Sequence, residues 1–380
     1  MTSEERRCAR RKRREIKREK KKREYLKQYD DFNNLTDINH LRHSAYMSEK
    51  ETKKKASVQR YMINMLQNVT QSRNDILNHR DVRQGFIEFD LRERGKCRHI
   101  KAVHFKERVI QRCLCDYMLV PAFTRSLVYD NGASLKGKGI HFALYRLRDM
   151  LRKYARKNGN KGYILLVDFS GYFDNIMHLR LYYMLKDHFS DPDIIFFIWK
   201  FIKAFGNKSL GIGSQISQIL AVSYANRVDH RIKEYHRNGK SARYMDDSYV
   251  ISDSKEELEC VLQDCIKYWD KLGIVINLKK TRIEPVRAFT FLKARFRITN
   301  TNKVLMLPPK KTYTIMRHKL KAFKRFYDDG DMGMKDISCS YTSWKGYQTH
   351  FDSYRRLKEM DIYFKSLFGG DECNYAVLQR

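Results

Sequence analysis

Tyr163-Ile164-Leu165-Leu166-Val167-Asp168-Phe169-Ser170-Gly171-Tyr172-Phe173-Asp174 decides the fold of this chain. The aliphatic run from Ile164 to Val167 leaves no polar face, so Tyr163 to Val167 reads as a strand buried on both sides, with Asp168 at its end. Downstream, Arg243-Tyr244-Met245-Asp246-Asp247-Ser248-Tyr249-Val250-Ile251 sets two adjacent aspartates between strand-forming residues. A hairpin over Ala242 to Ser252 with the acids at its tip is expected. Alone, that pair is ordinary turn chemistry, because aspartate tolerates turn dihedrals. It is not alone, since Asp168 also ends a strand and two such strands can converge.

Two unit charges about 4 Å apart repel by roughly 4 kcal/mol at an effective dielectric near 20, so converging carboxylates need a cation. Hard oxygen donors select Mg²⁺. A pair of such ions suits the attacking and leaving oxygens of an in-line phosphoryl displacement, the chemistry of polymerases and nucleases.

Outward from these stretches, the spacing predicts polar helices over 44 to 80 and short strands from Gly85. A helix follows through Val109, Ile110, Leu114, Tyr117 and Met118, ending before Pro121. A Gly/Lys-rich turn (Lys136, Gly137, Lys138) leads to a basic amphipathic helix ending near Tyr154. Helices fill 176 to 204 and 214 to 235, and another runs from 255 to 272. Strands are expected at Ile274 to Asn277 and Phe289 to Phe296, and three helical segments from Lys310. The whole is an α+β chain.

At 380 residues the chain can bury a sizeable core, and its 77 Lys+Arg against 44 Asp+Glu give a net charge of +33. A polyanion is the partner this balance calls for. Residues 1 to 30 hold 14 Lys/Arg and 6 acids, and the remaining chain still carries +25. The N-terminal stretch has almost no apolar face, so it reads as an arm, disordered or helical only on RNA. Twelve Lys/Arg and no acid lie between Glu284 and Asp328, where Met316, Leu320, Phe323 and Tyr327 recur at helical spacing. That suits a helix packing through one stripe and tracking phosphates with Arg317, Lys321 and Lys324. No apolar run is long enough to span a membrane, and no signal peptide is expected. The eight cysteines include no CxxC pair, which predicts reduced thiols in the cytoplasm.

Here the chain resembles a reverse transcriptase of the bacterial retroelement type, over about residues 85 to 368. Tyr244-Met245-Asp246-Asp247 is similar to that family's Tyr-x-Asp-Asp box, and Asp168 stands where its first palm motif has a metal-binding aspartate. The resemblance implies a right-hand polymerase fold: fingers, a palm with an antiparallel sheet, and a helical thumb. The implied division is a basic arm at 1–43, fingers at 44–160, palm at 161–300, and thumb with C-terminal tail at 301–380. By the same likeness Asp168 and Asp246 bind two Mg²⁺ ions, for which Mn²⁺ can substitute. The Phe169 carbonyl joins them, with Asp247 an adjacent contributor.

Phe173 occupies the family's steric-gate position, where a ring collides with a 2′-hydroxyl and favours dNTPs over NTPs. Gly211-Ile212-Gly213-Ser214-Gln215-Ile216-Ser217-Gln218 is similar to the third motif, implying nucleotide or template contacts by Gln215, Ser217 and Gln218. Its Gly-x-x-x-Ser-Gln form is that of diversity-generating retroelements rather than of group II introns. Arg98 and Lys101 are the candidates for neutralising the triphosphate. Lys280 is the candidate proton donor to pyrophosphate. Phe291-Leu292-Lys293 is similar to the primer-grip box, with lysine in place of its glycine. Lys136, Lys138, Tyr244 and Met245 complete the expected primer and template contacts.

The function implied is RNA-directed DNA synthesis on a dedicated structured RNA, in phage defence or diversity generation. The alternative is a catalytically silent, polymerase-like RNA-binding protein, which replacement of a metal aspartate would favour. The implied partners are an RNA template, a DNA product or primer, dNTPs, and an accessory protein or second copy, with no membrane. No protease, RNase H, endonuclease or maturase domain is expected in the remaining residues.

Overall fold

The computed structural model describes residues 3–50, 52–93 and 96–369. The C-terminal tail expected within 301–380 therefore lies, from 370 on, outside the described residues. In chain order the elements begin with helices α1 (Ser3–Leu26), α2 (Asn33–Thr36), α3 (Ile38–Glu49), α4 (Ala56–Ile63) and α5 (Met65–Leu77). Next come strands β1 (Phe86–Glu93) and β2 (Lys96–Val103), then helices α6 (Phe105–Leu114), α7 (Val120–Thr124) and α8 (Ile140–Asn158). Strand β3 (Tyr163–Ser170) precedes α9 (His178–Lys186), α10 (Pro192–Lys203), α11 (Gln215–Tyr224) and α12 (Asn226–Glu234). The remainder is β4 (Ser241–Tyr244), β5 (Asp247–Ser252), α13 (Lys255–Lys271), β6 (Val275–Ile276), β7 (Arg282–Pro285), β8 (Ala288–Phe291), β9 (Ala294–Ile298) and β10 (Val304–Leu307), closed by α14 (Thr312–Asp328), α15 (Met334–Gln348) and α16 (Tyr354–Phe368).

The chain divides into two compact units. The first comprises Met1–Gly137, Asp168–Arg237 and Leu262–Asn277, and the second Lys138–Val167, Asn238–Val261 and Leu278–Arg380. The first unit is mostly helical and carries the antiparallel ribbon β1–β2, in which Glu88 faces Lys101 and Leu91 faces Arg98. In this unit the end of β3 pairs with β6, Phe169 opposite Ile276. After α6, helical structure does not stop before Pro121 as the sequence predicts. One wide π turn, Cys115–Leu119, follows α6, and Pro121 then falls in the first turn of α7, where its missing N–H costs nothing. The arm likewise departs from expectation, forming a continuous helix of 24 residues.

In the second unit the sheet order is β4-β5-β3, with β7 pairing β3 along Tyr163 to Leu166. Its core joins Leu147, Leu151 and Tyr154 of α8 to Ile164, Tyr249 and Phe296 on the strands. Helix α8 therefore packs with the sheet of this unit. Gly162 makes this closeness possible: a Cβ there would sit 2.9 Å from the Ser252 carbonyl and collide with the Tyr154 hydroxyl, which donates to Lys161 O at 2.8 Å. The expected single strand Phe289 to Phe296 is instead a hairpin, β8–β9, extended by β10. A separate cluster of Tyr313, Met316, Leu320, Ile337, Tyr341 and Met360 holds α14, α15 and α16 together. Of the predicted α14 stripe, Met316 and Leu320 are buried, whereas Tyr327 is exposed.

Candidate functional site

Asp168 is the sixth residue of β3, half-buried just beyond the aliphatic run Ile164 to Val167. Its carbonyl accepts the Asn277 N–H at 2.8 Å. In an antiparallel ladder that makes Phe169–Ile276 the neighbouring, non-hydrogen-bonded pair, so the Phe169 carbonyl is not used on this side. The Phe169 ring is buried against Trp269 and Tyr172, at centroid distances of 5.1 and 5.5 Å. Tyr172 is fixed in turn by donating to Ala221 O at 2.7 Å. Phe173 packs edge-on against Tyr172 and remains half-exposed, while its carbonyl accepts the Leu210 N–H at 2.9 Å. Backbone and ring are thus both held where the strand opens into the turn.

Asp246 and Asp247 lie in the second unit. Tyr244 pairs with Asp247, so Met245 and Asp246 form the whole turn between β4 and β5. Met245 takes φ +55°, a left-handed conformation that costs a non-glycine residue about 1–2 kcal/mol. The buried Arg243 guanidinium donates to the Met245 carbonyl at 3.1 Å and pins the turn. Both aspartates are half-buried. Burial, and then the negative charges of Asp246 and Asp247, raise the Tyr244 phenol above its ordinary pKa.

The segment Gly211 to Gln218 leads into helix α11. Ser214 caps it, accepting the Ser217 N–H at 3.4 Å, and donates to Gln111 Oε1 at 2.9 Å. Gln111 donates to Glu107 Oε1 at 2.9 Å, and Glu107 Oε2 accepts the Gln84 N–H at 3.1 Å. Ser214, Gln111 and Glu107 are buried, and burial raises the Glu107 carboxyl above its ordinary pKa. This relay ties the start of α11 to α6 and to the segment entering β1. Gly213, at φ +122°, approaches β2 so closely that a Cβ would lie 2.8 Å from the Lys101 carbonyl oxygen. The Lys101 N–H donates to Ile212 O at 3.1 Å, joining the ribbon to the motif.

A family model described as reverse transcriptase (RNA-dependent DNA polymerase) matches residues 92–296, more than half of the chain. The chain belongs to the reverse transcriptase family. Protein YkfC of Escherichia coli (strain K12) is 22% identical, the match covering 53% of this chain and 63% of that protein. The chain therefore spans less than two thirds of this curated relative. Among solved structures, it is similar to telomerase from Candida albicans in complex with a fragment of telomeric RNA (12% identity, 64% of this chain and 50% of that one, TM-score 0.46). It is also similar to apo telomerase from Candida tropicalis lacking its C-terminal domain (16% identity, 58% and 54%, TM-score 0.43). The mixture of helices with antiparallel sheets is consistent with membership of the reverse transcriptase family.

Several of the expected reverse transcriptase contacts are placed differently from one another. Arg98 and Lys101 stand three residues apart on β2 and so point to opposite faces of the ribbon. Lys101 pairs with Glu88 at 3.6 Å, beside His99, whose imidazole is pushed up by Asp90 and then Glu88. Arg98 shares the other face with Ile87, Phe89 and Leu91. In α11, Gln218 is exposed and Gln215 half-buried, but Ser217 is buried. Lys280 is exposed, and its carbonyl accepts from Arg282 at 3.1 Å. Phe291 is core, packed edge-on against Tyr249 at 5.1 Å, whereas Lys293 is exposed. Lys136 is exposed and Lys138 lies over the Phe142 ring. Arg317 and Lys321 are exposed on α14, while Lys324 pairs with Asp328 one turn away at 2.5 Å.

Sequence reasoning missed Arg243, Ser214, Gln111 and Glu107. The Glu107/Gln111 pair had a signal in its four-residue spacing, and Ser214 in its place before a helical run. Among the described residues, no three His, Cys, Asp or Glu side chains gather into a group that could hold a metal by themselves. Mg²⁺ does not require such a cage: it is commonly held by one or two carboxylates together with water and substrate phosphates. Half-buried carboxylates on a pinned turn and at a strand end fit that donor chemistry. No helix among the described residues is long and apolar enough to cross a membrane.

Proposed function

We propose that this chain is an RNA-directed DNA polymerase that extends a primer with dNTPs on an RNA template. One observation carries the reading. The acidic pair of the family's box sits on a two-residue turn whose left-handed Met245 is pinned by a buried arginine, conformational strain of the kind found at reacting sites. By the family resemblance Asp168, Asp246 and the Phe169 carbonyl would hold two Mg²⁺ ions, with Asp247 adjacent. When bound, those ions supply the positive charge that stabilises the attacking and leaving oxygens. The protein's own residues position the reactants. Phe173 closes the space beneath the sugar, and Gln215 and Gln218 orient the nucleotide from the start of α11. Lys280 gives a proton to the departing pyrophosphate. Lys101 or Arg98, on opposite ribbon faces, meets the triphosphate, and the exposed cations of α14 follow the duplex. The Gly-x-x-x-Ser-Gln motif supports a dedicated structured RNA as template, with diversity generation or phage defence as the setting.

Primer extension on an RNA template with Mg²⁺ tests the reading together with its gate. The unmodified chain should incorporate dNTPs and reject rNTPs, and Phe173→Ala should narrow that discrimination by about tenfold or more, roughly 1.4 kcal/mol. Unchanged discrimination would remove Phe173 from the site, and no dNTP incorporation by the unmodified chain would favour the silent RNA-binding reading.

A further inference from the structure

The arm is a separate device. Its base is fixed: Leu26 is buried, Tyr25 donates to Pro121 O at 3.1 Å, and the Arg125 guanidinium lies 4.0 Å from the Tyr25 ring centroid. Asp30 accepts the N–H groups of Ser190 and Asp191 at 2.8 and 3.1 Å, and Phe32 stacks on Phe197. From that anchor α1 extends back to Ser3, 24 residues in all and about 36 Å at 1.5 Å per residue.

Charge on α1 is sorted by face rather than mixed. With successive residues about 100° apart, Arg10, Arg13, Arg14, Lys17 and Lys21 fall within a sector about 100° wide. Of the five acids of α1, Glu24 falls on the basic side, only at the anchored end of the helix, and the other four, Glu4, Glu5, Glu15 and Glu19, fall in a similar sector on the opposite side. The acids there have cations three or four residues away, Lys12 beside Glu15 and Lys22 and Arg23 beside Glu19, an arrangement that supports the helix. The basic side has the reverse. Arg10–Arg13, Arg10–Arg14, Arg13–Lys17, Arg14–Lys17 and Lys17–Lys21 are like-charged neighbours, each unfavourable by about 0.2–0.5 kcal/mol. A helix serving only solubility would gain by spreading its acids among these cations. Bound phosphates relieve the same repulsion.

We propose that this face of α1 is a clamp for double-helical RNA. That the duplex is RNA rests on the proposed function. The clamp chemistry rests on the helix alone. A single strand is held by stacking its bases on aromatic rings, and α1 has no aromatic residue before Tyr25. A membrane surface demands an apolar face, and α1 offers only Cys8, Ala9 and Ile16 along that length. A straight row of cations without rings matches the phosphates of a duplex, which are read by shape and charge rather than by sequence.

Two full-length variants of equal net charge test this. R10Q/R13Q/K17Q removes three charges from the sorted face, and K12Q/K22Q/R23Q removes three from the opposite one. Binding of an RNA duplex of about 20 base pairs is followed by fluorescence anisotropy as salt is raised, with circular dichroism reporting helix content. The first variant should lose tenfold or more in affinity, and its log–log salt slope should fall by about 2 to 3, at roughly 0.9 per phosphate. The second should change its slope by less than about one. Equal losses in the two variants would overturn the clamp in favour of net charge alone. Single-stranded RNA losing as much as duplex, or anionic phosphatidylglycerol vesicles showing the face dependence in place of RNA, would overturn it too. Primer extension on a short annealed primer–template should continue in both variants, which separates failure of the clamp from failure of the polymerase reading.

Discussion

Two hairpins in the same unit make opposite use of the same backbone problem. In β4–β5 the turn is Met245-Asp246, with Met245 at φ +55°. In β8–β9 it is Leu292-Lys293, at +46° and +67°. Hairpin turns with positive φ favour glycine, and neither turn has one. The first presents two half-buried carboxylates and is pinned by Arg243 from below. The second presents a lysine to solvent and sends Phe291 into the core against Tyr249 of the first hairpin. On the proposed function, strain in one turn aims chemistry. In the other it accompanies packing, with Lys293 standing where the family's box has glycine.

That contrast predicts how each hairpin fails. Phe291→Ala should cost about 3–5 kcal/mol of stability, because it empties a buried site shared with Tyr249. Chemical denaturation checks this, and a loss below about 1 kcal/mol would mean that Phe291 faces the primer instead of the core. Met245→Gly should lower the rate of dNTP addition several-fold while raising stability slightly, since glycine relieves the dihedral but loosens the aspartates. If rate and stability rose together, the strain at Met245 would have no part in positioning. Lys293→Gly should have the smallest effect, stabilising the protein by about 0.5–1 kcal/mol, because the left-handed strain removed exceeds the cost of the added unfolded-state entropy. A destabilised variant would show that Lys293 is held by contacts its exposure does not suggest.

Much of this arrangement was legible in the sequence, and what escaped has physical reasons. The run Ile164 to Val167 reads as a buried strand, and Asp246-Asp247 between strand-forming residues reads as a hairpin tip, which the structure shifts by one residue to Met245-Asp246. The β8–β9 turn escaped because Leu292-Lys293 carries no turn residue, so Phe289 to Phe296 reads as one strand. Strands β7 and β10 are four residues each, too short for alternation to register. Pro121 reads as a stop signal, yet a π turn lets helical structure pass through it. The opposed faces of Arg98 and Lys101 were implicit in their odd spacing once both lay on one strand. The Ser214–Gln111–Glu107 relay joins residues about a hundred positions apart, which no local pattern reveals. For the arm, composition marked a polyanion partner, but the sorting of its charges has meaning only once the helix is continuous.

The most direct test of the account is single-turnover dNTP addition by Asp246→Asn, measured beside its affinity for the same RNA primer–template. Mg²⁺-dependent addition should fall by about a thousandfold or more, some 4 kcal/mol of lost transition-state stabilisation, while RNA affinity stays within a few-fold. Addition at the unmodified rate, with RNA still bound, would contradict the assignment of the Tyr244–Asp247 turn as the catalytic centre.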